Sequence, residues 1–183
     1  MNSKLRNDAK LSSEKCLLCN SKNVEHDYRL AFGDVFQCLD CSYAFTIFDD
    51  IDVAYDAETD WEGEGYIKMK LYSLNHDRAA ENARLKVLQK FLPAGKLLEF
   101  GANLGSFLWV ANQQGFDVSG TDLRCNILQV NNVKDAKFYP NDAMNCSFDQ
   151  TFDVIVGFQF LEHLDNPLMF LKNIDQYLNA GGY

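Results

Sequence analysis

The chain has 183 residues, 47% hydrophobic and 23% charged, a balance that excludes the disordered and membrane-embedded classes and fits one medium domain with a small module. Its formal net charge is -9, with no run rich in Lys or Arg, so nucleic acid is not expected as a partner, because phosphate-backbone affinity rests on clustered cations. A small-molecule or glycan-type substrate is expected in the cytoplasm: Met1 to Lys15 is polar and lacks the apolar core of a secretory signal, and no apolar stretch approaches the ~20 residues that span a bilayer.

Four of the six cysteines form Cys16-x-x-Cys19 and Cys38-x-x-Cys41, with eighteen residues between the pairs. This is zinc-ribbon spacing. Two intervening residues let a tight knuckle point both sulfurs at one ion, and a hairpin between the pairs returns the second knuckle to complete a tetrahedron. The expected metal residues are therefore Cys16, Cys19, Cys38 and Cys41, holding a structural Zn2+ in a closed shell that does not activate water. Disulfides are disfavoured in the reducing cytosol. Cys125 and Cys146 have no such partnering and read as small apolar residues.

The expected ribbon covers residues 1–48. From Tyr43 to Tyr66 the sequence is aromatic and acidic, with eight Asp/Glu between Asp49 and Glu64, and 49–74 reads as a connector, either a solvated loop with aromatic anchors or a lid. Asn75 to Phe91 carries Ala79, Ala83, Val87 and Phe91 at four-residue spacing, with Leu85, Leu88 and Leu92 alongside; this predicts an amphipathic helix ended by Pro93 and Gly95.

Short apolar runs then alternate with helical segments: Lys96–Phe100, Leu104–Gln114 and Phe116–Gly120. Such alternation predicts βαβ units and a parallel sheet. Further strands are expected at Ala136–Tyr139 and at Phe152–Gly157, the latter buried and central. Asn166 and Pro167 start a helix that Gly181-Gly182 stops, expected over Pro167–Asn179.

Between the first strand and its helix stands Glu99-Phe100-Gly101-Ala102-Asn103-Leu104-Gly105. Gly101 and Gly105 offer positive φ or close backbone approach, and Asn103 is the non-glycine residue that best tolerates a left-handed conformation. Asp122 ends the second strand, twenty-three residues after Glu99, where a carboxylate accepts both hydroxyls of a ribose. A glycine loop with a following acid also suits a nicotinamide cofactor. The dinucleotide fingerprint, however, needs G-x-G-x-x-G, and here Asn103 and Ser106 occupy its last two positions. An anion at Glu99 repels a pyrophosphate but suits an ammonium group.

With these motifs the sequence resembles the class I S-adenosylmethionine-dependent methyltransferases, particularly bacterial zinc-ribbon members associated with sugar or cell-surface glycan modification. The loop from Glu99 to Gly105 is similar to the family's first motif, with Asn103 for a common glycine. Asp122 matches its ribose acid, Asn141-Asp142-Ala143 its adenine contact, and Phe152 to Val156 with Leu161-Glu162-His163-Leu164 its fourth-strand region. The resemblance implies an α/β, Rossmann-like doubly wound parallel sheet over 75–183. It also implies S-adenosylmethionine as cofactor and a division of labour. Glu99 with the loop residues Gly101, Ala102, Asn103 and Gly105 would hold the methionine end, Asp122 with Leu123 the ribose, and Asp142 with Ala143 the adenine, while Phe158 and Gln159 would line the sulfonium. Asp142 as a turn residue and Phe158 as plain core stay open.

His163 reads as a structural residue at a helix start, with an acceptor-deprotonating base as its functional alternative. In related metal-dependent methyltransferases an acid stands four residues before this histidine; here that position is the neutral Gln159, so no catalytic metal is expected. The expected reaction is methyl transfer to a small-molecule or glycan-type acceptor. The rivals are a zinc-ribbon binding protein with a non-catalytic Rossmann-like half, and a nicotinamide oxidoreductase. The family resemblance stops just before its fifth strand, so the sheet is expected to be incomplete at its C-terminal side, with Val154, Ile155 and Val156 on an uncovered apolar edge.

Overall fold

The computed structural model describes residues 15–49, 65, 68, 78–122, 133–139, 143–164 and 166–183. The chain divides into two compact units, Met1–Thr59 and Asp60–Tyr183. The connector expected over 49–74 lies, apart from Asp49, Gly65 and Lys68, outside the described residues.

The first unit is an antiparallel sheet of β1 (Val24–Leu30), β2 (Gly33–Cys38) and β3 (Ala44–Phe48), in that order. The β1–β2 hairpin lies between the two cysteine pairs, and the register slips once, between His26 and Tyr28. Strand β3 is formed by the aromatic segment that begins at Tyr43, inside the expected ribbon. Phe45 is buried opposite Phe36, with the rings stacked at 5.9 Å. The segment is a strand because β2 offers it a ladder and an aromatic partner.

The second unit contains α1 (Ala79–Leu88), β4 (Lys96–Phe100), α2 (Ser106–Gln113), β5 (Asp117–Thr121), β6 (Lys137–Tyr139), β7 (Val154–Gly157) and α3 (Pro167–Asp175). The four strands form one parallel sheet in the order β6-β5-β4-β7. Strand β4 shows why Leu97-Leu98-Glu99-Phe100 is almost continuously apolar: both faces of the sheet are covered. Leu97 joins Leu85 of α1, Phe107 and Leu108 of α2, and Val118 and Val154 in one core. Leu98 and Phe100 join Phe148, Phe152 and Phe170 of α3 in the other. Each such fully buried Leu or Phe contributes about 1.5–3 kcal/mol. Asn166 caps α3 by accepting from the Met169 N–H at 2.9 Å, with Pro167 in the first turn.

Two expectations change. Within the predicted helix α1, the inward stripe is not the Ala79, Ala83, Val87, Phe91 line. Val87 and Phe91 are 56% and 59% exposed, whereas Leu85 is buried and Leu88 and Leu92 pack on the core. A four-residue spacing and its neighbour one position round both satisfy helical periodicity, and only the partner surface selects between them.

The edge of β7 is not bare either. The Phe152 N–H donates to the Tyr177 carbonyl at 2.8 Å and the Asn179 N–H to the Phe152 carbonyl at 2.8 Å. Further on, the Ile155 N–H reaches the Tyr183 carbonyl at 2.9 Å, and the Tyr183 N–H reaches the Asp153 carbonyl at 3.1 Å. Helix α3 ends at Asp175, short of the expected Asn179, so the chain from Tyr177 returns along the strand and pairs groups that would otherwise stay open.

Candidate active site

The carboxyl end of β4 opens into a turn of unusual backbone. Gly101, Asn103 and Gly105 take φ of +67°, +48° and +71°, the left-handed region that Gly and Asn tolerate best. The turn is tied to β5: the Ala102 N–H donates to the Thr121 carbonyl at 3.1 Å, and the Asn103 N–H to Asp122 Oδ2 at 2.9 Å. The Gly105 N–H closes the turn on the Ala102 carbonyl at 2.7 Å, and α2 begins at Ser106.

Glu99 sits beneath this turn and is 5% exposed. Its Oε2 is buried without a hydrogen-bond partner, as is Asn103 Oδ1. A buried carboxylate that lacks donors is costly. Burial accordingly raises the Glu99 carboxyl well above the usual carboxylate range; the Arg84 guanidinium pulls it down, and Glu81 and Asp122 push it further up. Two buried acceptors beside one turn fit a ligand that brings hydrogen-bond donors and positive charge.

Arg84 is a residue that sequence reasoning missed, since a lone Arg on a helix carries no signal. Its guanidinium lies 4.6 Å from the Phe158 ring centroid and its Nη1 is 3.8 Å from Glu81 Oε1. Phe158 in turn meets Phe107 edge-on at 4.8 Å. Gln159 is exposed with φ +50°. His163 is exposed and closes the short 3-10 turn Leu161–His163.

The structure thus gathers Glu99, Gly101, Ala102, Asn103, Gly105 and Asp122 around one turn. Phe158 and Gln159 follow the neighbouring strand β7. Ala143 opens a 3-10 turn at Ala143–Asn145, while Leu123, Asn141 and Asp142 lie outside the described residues.

In the first unit the four cysteine Sγ atoms lie within 4.8 Å of one another. Cys16 Sγ is 3.6 Å from Cys41 Sγ, and Cys19 Sγ 3.5 Å from Cys38 Sγ. A tetrahedral ion with sulfurs at about 2.3 Å sets them about 3.8 Å apart, so the cluster fits zinc. The two knuckles repeat one design. The Asn20 N–H donates to the Cys16 carbonyl and the Ser42 N–H to the Cys38 carbonyl, and Asn20 and Ser42 are both left-handed. Backbone N–H groups of Leu18 and Cys19 also point at Cys16 Sγ. The thiols are unequal. Burial raises that of Cys38, but the N–H groups of Cys41 and Asp40 outweigh it and bring it to about 7. For Cys41 the N–H of Tyr43 lowers the value, yet burial and the three other thiols push it up to about 12.

A parallel, doubly wound sheet with a left-handed glycine turn and a strand-end acid defines the Rossmann-like methyltransferase fold. The model of the methyltransferase domain family matches residues 73–183, more than half of the chain, and the chain belongs to that family. A search of curated proteins finds no match. Among solved structures, the chain is similar to the sugar N-methyltransferase KedS8 from a Streptoalloteichus species, at TM-score 0.54 and 15% identity, with 63% of this chain and 50% of that one covered. It is also similar to S-adenosylmethionine-bound CalS10, an amino pentose methyltransferase from Micromonospora echinaspora, at TM-score 0.53 and 17% identity, covering 63% and 53%. A third likeness is to a TehB-like S-adenosylmethionine-dependent methyltransferase from Corynebacterium glutamicum, at TM-score 0.53 and 24% identity, covering 65% and 68%. The chain spans about half the length of the first two, and identities this low establish the fold alone. No helix among the described residues is long and apolar enough to cross a membrane.

Proposed function

We propose that the chain transfers a methyl group from S-adenosylmethionine to a small-molecule or sugar-type acceptor, with the Cys16, Cys19, Cys38 and Cys41 cluster holding a structural zinc ion. The observation that carries the reading is the buried, unpartnered carboxylate oxygen of Glu99 beneath a left-handed glycine turn. That is a place for an ammonium group and not for a pyrophosphate, which would meet the like charge.

When bound, the cofactor supplies a methyl group on an already activated sulfonium. Glu99 and the backbone of Gly101, Ala102, Asn103 and Gly105 hold its amino-acid end, and Arg84, whose charge acts on Glu99, is the cation we assign to the cofactor's carboxylate. Asp122 accepts the ribose hydroxyls, with Leu123 beside it against the cofactor, and Asp142 with Ala143 contacts the adenine. Phe158 and Gln159 line the reacting centre and exclude water, so the protein's part is alignment for in-line displacement. His163, exposed in the 3-10 turn that follows β7, is the base proposed to take the acceptor's proton. In domain terms the proposal assigns 1–48 to the ribbon, 49–74 to the connector and 75–183 to the catalytic fold. The sugar-type acceptor is favoured by the amino-sugar methyltransferases among the structural likenesses and by the acidic net charge.

Calorimetric titration with S-adenosylhomocysteine, NAD and a nucleic-acid pool tests the reading. Saturable one-site binding of S-adenosylhomocysteine alone is expected. Binding of NAD instead, or of neither nucleotide, would overturn it.

A further inference from the structure

We infer that Phe160 is a positioning residue for methyl transfer, keyed into the notch left by Gly101 and Gly157 and locking the glycine turn to the segment that carries Gln159 and His163. The inference rests on the S-adenosylmethionine reading of the site. A Cβ placed on Gly101 would stand 3.0 Å from Phe160 Cδ2, and one on Gly157 would stand 3.2 Å from Phe160 Cβ and Cδ1. One ring therefore requires both glycines, at the ends of two hydrogen-bonded strands, where Phe100 pairs with Gly157. A side chain at Gly101 therefore meets Phe160 before anything else.

The hydrogen bonds from the Ala102 and Asn103 N–H groups tie the glycine turn to Thr121 and Asp122 on the β5 side. Phe160 supplies the tie to the β7 side. Its ring lies 5.5 Å from Phe100 and 5.2 Å from Phe170, within the core on the α3 face. Phe158, two residues earlier, is anchored in the core on the opposite face, against Phe107. Gln159 is thus held exposed between two aromatic anchors at φ +50°, a conformation that a Gln adopts only when its surroundings impose it. Releasing Phe160 frees Gln159 and the glycine turn together, and the methyl donor and its acceptor then lose their common frame.

The test is a cycle on the full chain: wild type, Phe160→Leu, Gly101→Ala and the double variant, each followed by S-adenosylhomocysteine affinity and by melting. Phe160→Leu keeps an apolar core side chain; it is expected to weaken binding about tenfold at temperatures where circular dichroism shows it fully folded. Gly101→Ala is expected to weaken binding too. In the double variant the two losses should fall short of their product by about threefold or more, as contacting residues do, and the backbone strain of Ala at position 101 cancels in the cycle. Wild-type affinity in a folded Phe160→Leu, or losses that multiply, would reduce Phe160 to core packing and overturn the inference while leaving the donor reading intact. Failure of the wild type itself to bind S-adenosylhomocysteine would instead overturn the donor reading, and this role with it.

Discussion

The backbone N–H of Asn103 donates to the carboxylate of Asp122 at 2.9 Å, so the acid proposed to hold the ribose also holds the glycine turn in its left-handed form. Asp122→Ala removes both functions. A charge-assisted hydrogen bond is worth about 1.5–3 kcal/mol, and S-adenosylhomocysteine affinity is expected to fall about ten- to a hundredfold. Calorimetry checks this, and an unchanged affinity would place the cofactor elsewhere.

Glu99 makes the stability of the ligand-free protein pH-dependent. Its folded carboxyl is raised by burial, so folding takes up a proton, and the stability associated with the protonated group is present at low pH and lost as pH rises toward the raised value. Glu99→Gln should therefore raise the melting temperature of the ligand-free protein at neutral pH, by more than it does at pH 4. The same substitution should weaken S-adenosylhomocysteine binding. An ammonium group beside Glu99 lowers its carboxyl again, so wild-type binding at mildly acidic pH should release a proton that Glu99→Gln does not. Titration in buffers of differing ionisation enthalpy measures that release.

The four-thiol cluster should bind one zinc ion per chain, since thiols this close ionise together only around a cation, and the metal's binding energy is part of the folding energy of the ribbon. Metal analysis of protein prepared under reducing conditions without chelator gives the stoichiometry. Cys38→Ser should abolish the metal and unfold β1 to β3, while the helical signal of the second unit stays. Protease digestion then cuts first within residues 16–48.

Asp153 accepts from the Lys96 N–H at 2.8 Å and from Asn179 Nδ2 at 2.7 Å, joining the start of β4 to the returning C-terminal segment. The Lys96 N–H, then Asn179, hold its carboxyl below the usual range, so its stabilisation is present at neutral pH and fades as pH falls through the lowered value. Asp153→Ala should cost about 1–3 kcal/mol at pH 7 and distinctly less at pH 3, read by urea unfolding at the two pH values.

What the sequence by itself determined is local. The Cys-x-x-Cys pairs, the strand at Lys96–Phe100, the left-handed Asn103 and the Asn166-Pro167 helix start each depend on a few neighbouring residues and a backbone preference that acts over one turn. The tertiary structure decided what depends on a partner surface. It turned Leu85 and not Val87 inward, made Ala44–Phe48 a strand by placing β2 beside it, and brought the chain from Tyr177 to Tyr183 back onto β7. It laid Arg84 over Phe158 and assigned the missing side chain of Gly101 to the ring of Phe160, fifty-nine residues away in sequence. Those contacts are carried by packing, which is set by shape and distance in space and leaves no periodic trace along the chain.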